Sequence, residues 1–257
     1  MYVPSNRLIL PLLIGALALL LRVEPGSAQP DSVRIPTGVY HSLFPEVVGE
    51  PVTVPSFRLD RHAVSNEQYR EFVRENPEWA PGQASSLQAG ESYLKQWTGA
   101  AETDANRPVS NVSWFAAASY CEWAGGRLPE LDEWEYAAQR LDLESDAEWT
   151  GLGNDILGWI TSVDPTRLLP QGESGIVTLD GVEDLHLQTL EWVADFRPPL
   201  SNEITFDCGT AGRVASGGNG YRYASVIRTL TRMNLDARTT SGTVGFRCAY
   251  DIPNDQE

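Results

Sequence analysis

The chain has 257 residues, 19 basic and 35 acidic side chains and three cysteines, with a formal net charge of −16. That length suffices for one large domain or two small ones, and for a real core. The acidic balance argues against nucleic acid and anionic membrane surfaces as partners and leaves a basic protein partner open.

The N-terminus reads as a targeting segment. Arg7 precedes the apolar run Leu8 to Leu21, which Arg22, Glu24 and Pro25 break before Gly26-Ser27-Ala28. A basic start, a short apolar stretch and small residues at its exit predict a secretory signal peptide over 1–28. The run is shorter than the roughly 20 residues of a spanning helix, and no later stretch is apolar enough to span. The expected product is an exported domain over 29–257, periplasmic or secreted.

Two strands are expected next, over 33–40 and 52–59, the second alternating apolar and polar residues. A helix starts at Ser65, where Ser65 and Gln68 form an S-x-x-Q capping box and Val64 and Tyr69 take the staple positions. Tyr69, Phe72 and Val73 give its buried stripe, and Pro77 ends it. Residues 80–107 form a polar insertion containing glycine and serine, the kind of long loop that is often functional or mobile. A second helix follows the N-cap Ser113 through Trp114, Ala117, Tyr120 and Cys121 to Gly125-Gly126. A third covers Leu131, Trp134, Glu135 and Ala138. Beyond residue 141 the helical pattern fades. The expected fold class is α+β, loop-rich, with two or three helices and short antiparallel strands.

Export would place Cys121, Cys208 and Cys248 in an oxidising compartment, where three cysteines allow one disulfide and one leftover thiol. His41, His62 and His186 stand apart in sequence without zinc-type spacing and read as surface or structural residues.

Four segments carry a resemblance. The first runs from Phe57 through Asp60 and Val64-Ser65-Asn66 to Tyr69 and Phe72. The second joins Arg107-Pro108-Val109, Asn111-Val112-Ser113-Trp114, Tyr120-Cys121-Glu122-Trp123-Ala124-Gly125, Arg127-Leu128-Pro129 and Glu133-Trp134-Glu135-Tyr136-Ala137-Ala138. The third is Glu191-Trp192-Val193-Ala194-Asp195. The fourth extends from Gly217-Gly218 through Arg238 to Gly245-Phe246-Arg247-Cys248. In order and spacing these resemble the formylglycine-generating-enzyme, or sulfatase-modifying factor, family. The resemblance implies its C-type-lectin-like fold, a Cys121–Cys248 disulfide, and structural roles for Arg238 and Arg247 beside buried carboxylates.

That family's best-known reaction oxidises a substrate cysteine to formylglycine, using Cu(I) held by two thiolates, ligands that suit a soft ion. After Gly217-Gly218 the corresponding positions hold Arg222 and Ile227, and no cysteine lies between Cys208 and Cys248. Copper is therefore not expected. The resemblance also implies a structural calcium turn, with side-chain oxygens from Asp184 and Glu191 and backbone carbonyls from Leu187 and Thr189. Leu187 stands where the family has glycine and is expected to resist a positive φ. The alternative is a turn held by hydrogen bonds to the two carboxylates. Asn219, Tyr221, Arg222 and Arg228 fall in the ancestral active-site cleft, read either as a binding groove or as a filled, inert one. The leading expectation is a non-catalytic protein that binds or regulates a protein partner, for example in secretion-system signalling or as an enzyme accessory. The alternative is an oxidoreductase of the same family acting on an exported small molecule such as a siderophore precursor.

Overall fold

The computed structural model describes residues 31–42, 51–97, 105–162, 164, 168–195 and 220–253. The signal-peptide expectation, Cys208, Gly217-Gly218 and Asn219 lie outside the described residues. Among those described, no helix is long and apolar enough to cross a membrane.

Each expected N-terminal strand is two strands. β1 (Ser32–Ile35) and β2 (Gly38–Tyr40) flank Pro36, while β3 (Val52–Val54) and β4 (Phe57–Asp60) flank Pro55. Proline has no N–H for a ladder and a fixed φ, so the chain turns there. β4 is the middle strand of an antiparallel sheet β1-β4-β7, where β7 is Ala249–Asp251. Its register pairs Ile35 with Phe57 on one side and Phe57 with Asp251 on the other. β2 and β3 form a separate antiparallel pair. A short parallel pair joins β5 (Leu190–Glu191) to β6 (Val244–Gly245).

α1 (Asn66–Glu75) carries the predicted capping box, and its Tyr69 and Phe72 are buried. The Tyr69 ring stacks on Tyr120, with centroids 5.6 Å apart, and meets Phe246 edge-on. α2 (Trp114–Trp123) starts at Ser113, whose side chain accepts from the Ala116 amide. It stops before Gly125, which takes φ 81. A disulfide between Cys121 and Cys248 fastens α2 to the residue preceding β7. α3 (Leu131–Ala138) buries Trp134 and Tyr136. The amide of Leu131, at the start of α3, donates to Asp195 at 2.7 Å.

Residues 80–97 of the insertion are more ordered than their composition implies: they form a series of turns ending in a 3-10 helix at Lys95–Trp97 and pack Ala89, Tyr93 and Leu94 into the core. The Tyr93 hydroxyl donates to the Trp79 carbonyl and shares a hydrogen bond with the Tyr69 hydroxyl.

Helical structure does not end at residue 141. α4 (Asp146–Ser162) and α5 (Gly220–Met233) pack against each other. At their crossing a Cβ on Gly153 would lie 2.5 Å from the backbone of Gly220, so only glycine admits this approach. The α+β class stands, with five described α-helices rather than two or three.

Candidate functional site

The C-terminal half of the chain is organised around buried charge. Arg247, fully buried, grips Glu191 with two hydrogen bonds, Nε to Oε2 at 2.8 Å and Nη2 to Oε1 at 2.9 Å. The Trp134 indole N–H donates to Glu191 Oε2 at 2.7 Å. Arg247 also donates to the carbonyls of Asp60, Arg61 and Glu183. Its structural role is as expected. Arg238 differs: it is exposed and pairs with exposed Asp236, so no buried carboxylate claims it.

A second cluster lies on α5. Arg228 donates to Glu135 at 2.6 Å and to His186 Nδ1 at 3.0 Å, and its guanidinium lies over the Trp134 ring. Because the arginine can only donate, His186 Nδ1 accepts, and its Nε2–H donates to the Ala138 carbonyl at 3.0 Å. Burial, together with the neighbouring Arg228 charge, lowers the His186 pKa to about 3. Arg232 stands 3.8 Å from Glu135 and donates to the Glu191 carbonyl. Its Nε and Nη2 have no hydrogen-bond partner among the described residues. Burial lowers its pKa to about 10.

This cluster settles where the expected cleft residues sit. Tyr221 and Arg228 are buried, 4% exposed each. Tyr221 packs edge-on against Trp149 and His186, and its hydroxyl donates to the Ala138 carbonyl. Arg222 is half-buried and donates to the Ser42 carbonyl. The 3.6-residue period of α5 turns Tyr221, Ser225, Arg228 and Arg232 inward, which a reading of the segment as an open cleft does not anticipate and the alternative of a filled one does.

In the turn expected to hold calcium, Asp184 and Leu187 take φ 59 and φ 64, so Leu187 does adopt the left-handed conformation. The residues of the turn do not fit the ion. Asp184 accepts from the amides of Gly172 and Ser174 and from Gln188 Nε2, with His62 Nδ1 at 3.5 Å. Burial raises its pKa, but these hydrogen bonds outweigh that and hold it at about 2. Gln188 Nε2 stands among three oxygens: Asp184 Oδ2, the Leu169 carbonyl and the Pro170 carbonyl, at 3.1–3.3 Å. A neutral N–H donor thus occupies an oxygen cage, and Glu191 is spent on Arg247 and Trp134. Both carboxylates that calcium would need are committed to protein donors. Thr189 supplies a buried hydroxyl with no donor or acceptor among the described residues, and Gln188 Oε1 is likewise unmatched. Two neutral oxygens without a carboxylate do not make a calcium site.

A groove of about 600 Å3 opens elsewhere, between the insertion, the segment 107–111 and residues 240–242. Its walls include Asn66, Lys95, Gln96, Arg107, Asn111 and Thr240. Hydrogen bonds lace the segments together. The Leu94 amide donates to the Asn111 carbonyl, the Asn111 amide to the Ser241 carbonyl, and the Gly90 amide to the Arg238 carbonyl. Gln96 Nε2 donates to the Ser110 carbonyl at 2.6 Å, and Asn111 Nδ2 to Gln96 Oε1 at 2.9 Å. Leu94 and Asn111 both hold positive φ, 49 and 52. For leucine that conformation is strained, and it persists because burial and these bonds over-determine it. Nothing in the local sequence marks this groove, since its described residues come from five separated segments. The signal that was available is the insertion itself, which supplies one wall.

The cysteines complete the inventory. Cys121 and Cys248 are bonded to each other and fully buried. Cys208 is the one cysteine left over.

The sequence profile of the Sulfatase-modifying factor enzyme 1-like domain matches residues 20–252. The inactive C-alpha-formylglycine-generating enzyme 2 of Mus musculus is 26% identical, over 92% of this chain and 91% of that protein. The formylglycine-generating enzyme of Thermomonospora curvata is 30% identical, over 90% of this chain and 96% of that protein. Among solved structures, PvdO from Pseudomonas aeruginosa aligns with a TM-score of 0.47 at 13% identity, covering 89% of this chain and 99% of that one.

Proposed function

We propose a non-catalytic binding role for this chain, on the premise that it belongs to the sulfatase-modifying factor enzyme 1-like family, whose profile spans residues 20–252. The observation that carries this reading is the disposition of its cysteines. Copper-dependent oxidation of a peptidyl cysteine needs two thiolates on one Cu(I), because soft sulfur ligands hold that ion. Of three cysteines, two are joined in the Cys121–Cys248 disulfide, and one remains. A single thiol cannot form the pair. The α5 positions that follow the Gly217-Gly218 motif carry Arg222 and Ile227 instead. The mouse relative whose name calls it inactive is matched across nearly all of both chains, which supports the same reading.

What the fold offers in place of that chemistry is a preformed polar groove, one wall of which is the insertion. The described part of that insertion is anchored by Tyr93 and Leu94, so it presents a fixed surface rather than a mobile arm. Fixed walls reduce the ordering cost of binding. The role we assign is to grip a protein partner at this face, outside the cytoplasm, as a regulator or accessory subunit.

The test is direct. Purified protein is incubated with Cu(I), oxygen and a cysteine-containing peptide, with the Thermomonospora curvata enzyme as positive control. No aldehyde by mass spectrometry and no oxygen uptake above background are expected. Copper-dependent aldehyde formation would remove the basis of the proposal.

A further inference from the structure

We propose that Gln188 is an internal substitute for a bound cation, and that this one side chain makes the turn 184–191 independent of divalent metal. Neither the groove nor the cysteines enter into it. Three oxygens from two stretches of chain converge on one point: Asp184 Oδ2 and the carbonyls of Leu169 and Pro170. Buried oxygens gathered in this way repel one another unless something electropositive stands between them. Here it is the Gln188 amide nitrogen, 3.1–3.3 Å from each. Only one orientation of the amide fits, since turning it over would set a fourth oxygen against the three. The amide oxygen is buried and has no hydrogen-bond partner among the described residues. Gln188 is thus placed for its nitrogen.

The cage has the dimensions of hydrogen bonds. Calcium takes roughly six to eight oxygens at about 2.3–2.6 Å. An ion at the place of the amide nitrogen would need the three oxygens to close in by about 0.7 Å and further ligands to join them. The charge of Asp184, 1% exposed, is met from within the chain, by the amides of Gly172 and Ser174, by Gln188, and by His62 Nδ1 at 3.5 Å. The other carboxylate of the turn, Glu191, is bound on both oxygens by Arg247, whose guanidinium also takes the Glu183 carbonyl. The positive charge at the turn is therefore an arginine, and the electropositive centre of the cage is an amide. Both are covalently part of the chain, so neither leaves when the metal content of the medium falls. The core frame depends on them. The turn leads into β5, where Leu190 and Glu191 pair with β6, and then into the fully buried Trp192. A turn closed by an ion would tie that frame to the surrounding metal concentration, and Gln188 removes the tie.

One substitution should then create a metal requirement. Gln188→Glu is nearly isosteric and sets an oxygen where the nitrogen was. Two carboxylates and two carbonyls then share the cage with no donor between them, a set that calcium can hold together. The experiment is thermal melting of the full chain in about 1 mM EGTA and in about 5 mM calcium chloride. The wild type is expected to melt within about 1 °C in both. Gln188→Glu is expected to melt at least about 5 °C below the wild type in EGTA, to recover at least about half of that loss in calcium, and to recover none in potassium chloride of equal ionic strength. Gln188→Met keeps the bulk and loses both N–H groups, and is expected to melt at least about 3 °C lower in both media. Should Gln188→Glu fail to fold in EGTA, refolding from urea with calcium present takes the place of melting. Folding in calcium alone supports the proposal, and folding in neither medium overturns it. It is also overturned if EGTA lowers the wild-type melting temperature, if Gln188→Met melts like the wild type, or if Gln188→Glu melts like the wild type in EGTA or gains nothing from calcium.

Discussion

The disulfide leaves one free thiol of the three cysteines, and its removal has a measurable cost. Cys121 and Cys248 are separated by 127 residues. Closing a loop of that size removes about 16 cal/mol/K of entropy from the unfolded chain, or ~5 kcal/mol at 25 °C, an upper figure in this treatment. Native disulfides deliver roughly 2–5 kcal/mol when removed, a large share of the 5–15 kcal/mol that stabilises a typical domain. Both residues are fully buried, so the cleanest perturbation is the double variant Cys121→Ala/Cys248→Ala, which buries no new polar atom. Equilibrium unfolding in urea is the assay. With a slope of about 2 kcal/mol/M, the midpoint should fall by about 1–2.5 M. Reductant should lower the wild-type midpoint by a similar amount and leave the double variant unmoved. Thiol titration of unreduced, urea-unfolded protein should give one thiol per chain, that of Cys208. Three thiols in that titration, or a midpoint indifferent to both reductant and substitution, would falsify the disulfide and reopen the possibility of a thiolate pair.

Two buried groups give opposed pH dependences that single substitutions should separate. Burial raises the Asp60 pKa from 3.8 to about 7, against opposing hydrogen bonds from the Cys248 amide and Tyr250. The folded state therefore holds a proton that the unfolded state has lost, and stability falls as pH rises from about 4 to 7. His186 does the reverse: its pKa drops from 6.5 to about 3, so its contribution is present above 6.5 and is lost as pH falls toward 3. Between pH 4 and 6.5 the two slopes, each up to about 1.4 kcal/mol per unit, oppose one another. Urea midpoints of Asp60→Asn should rise with pH across that window, and those of His186→Gln should fall; parallel profiles would refute the assignment. Chelation by EGTA should leave the melting temperature unchanged, because Asp184 and Glu191 are bonded to Gln188 and Arg247. Gln188→Ala should cost about 1–3 kcal/mol by leaving the Leu169 and Pro170 carbonyls without their donor. Ser65→Ala should lower stability by about 1 kcal/mol through loss of the α1 cap. Metal analysis of purified protein provides an independent check: stoichiometric iron or copper would favour the oxidoreductase alternative.

What could be read in the chain were the features set by near neighbours in sequence. The Ser65–Gln68 capping box, the Ser113 N-cap and the stop at Gly125 depend on residues within a turn of one another, and each is present as expected. The buried stripe of Tyr69 and Phe72 follows from helical spacing alone. The family, and with it the α+β fold and the Cys121–Cys248 pairing, was legible because its motif residues occur in order over most of the chain.

α4 and α5 escaped because their signals are disguised. α4 contains Gly151, Gly153 and Gly158, residues that weaken any helix prediction, although Trp149, Leu152, Ile156 and Trp159 keep helical spacing. The buried face of α5 carries Ser225, Arg228, Thr229 and Arg232, a polar stripe that reads as surface until Glu135 and Trp134 are brought beside it. The same proximity buries Tyr221 and Arg228, two residues of the expected cleft. The sequence by itself determined the caps, the family and the number of cysteines, because those are local patterns or simple counts. Tertiary structure alone decided which arginines are buried, what satisfies the carboxylates of the turn, and where the groove opens. Each of those depends on groups from distant segments meeting, and the energy of a buried charge is set by what it meets.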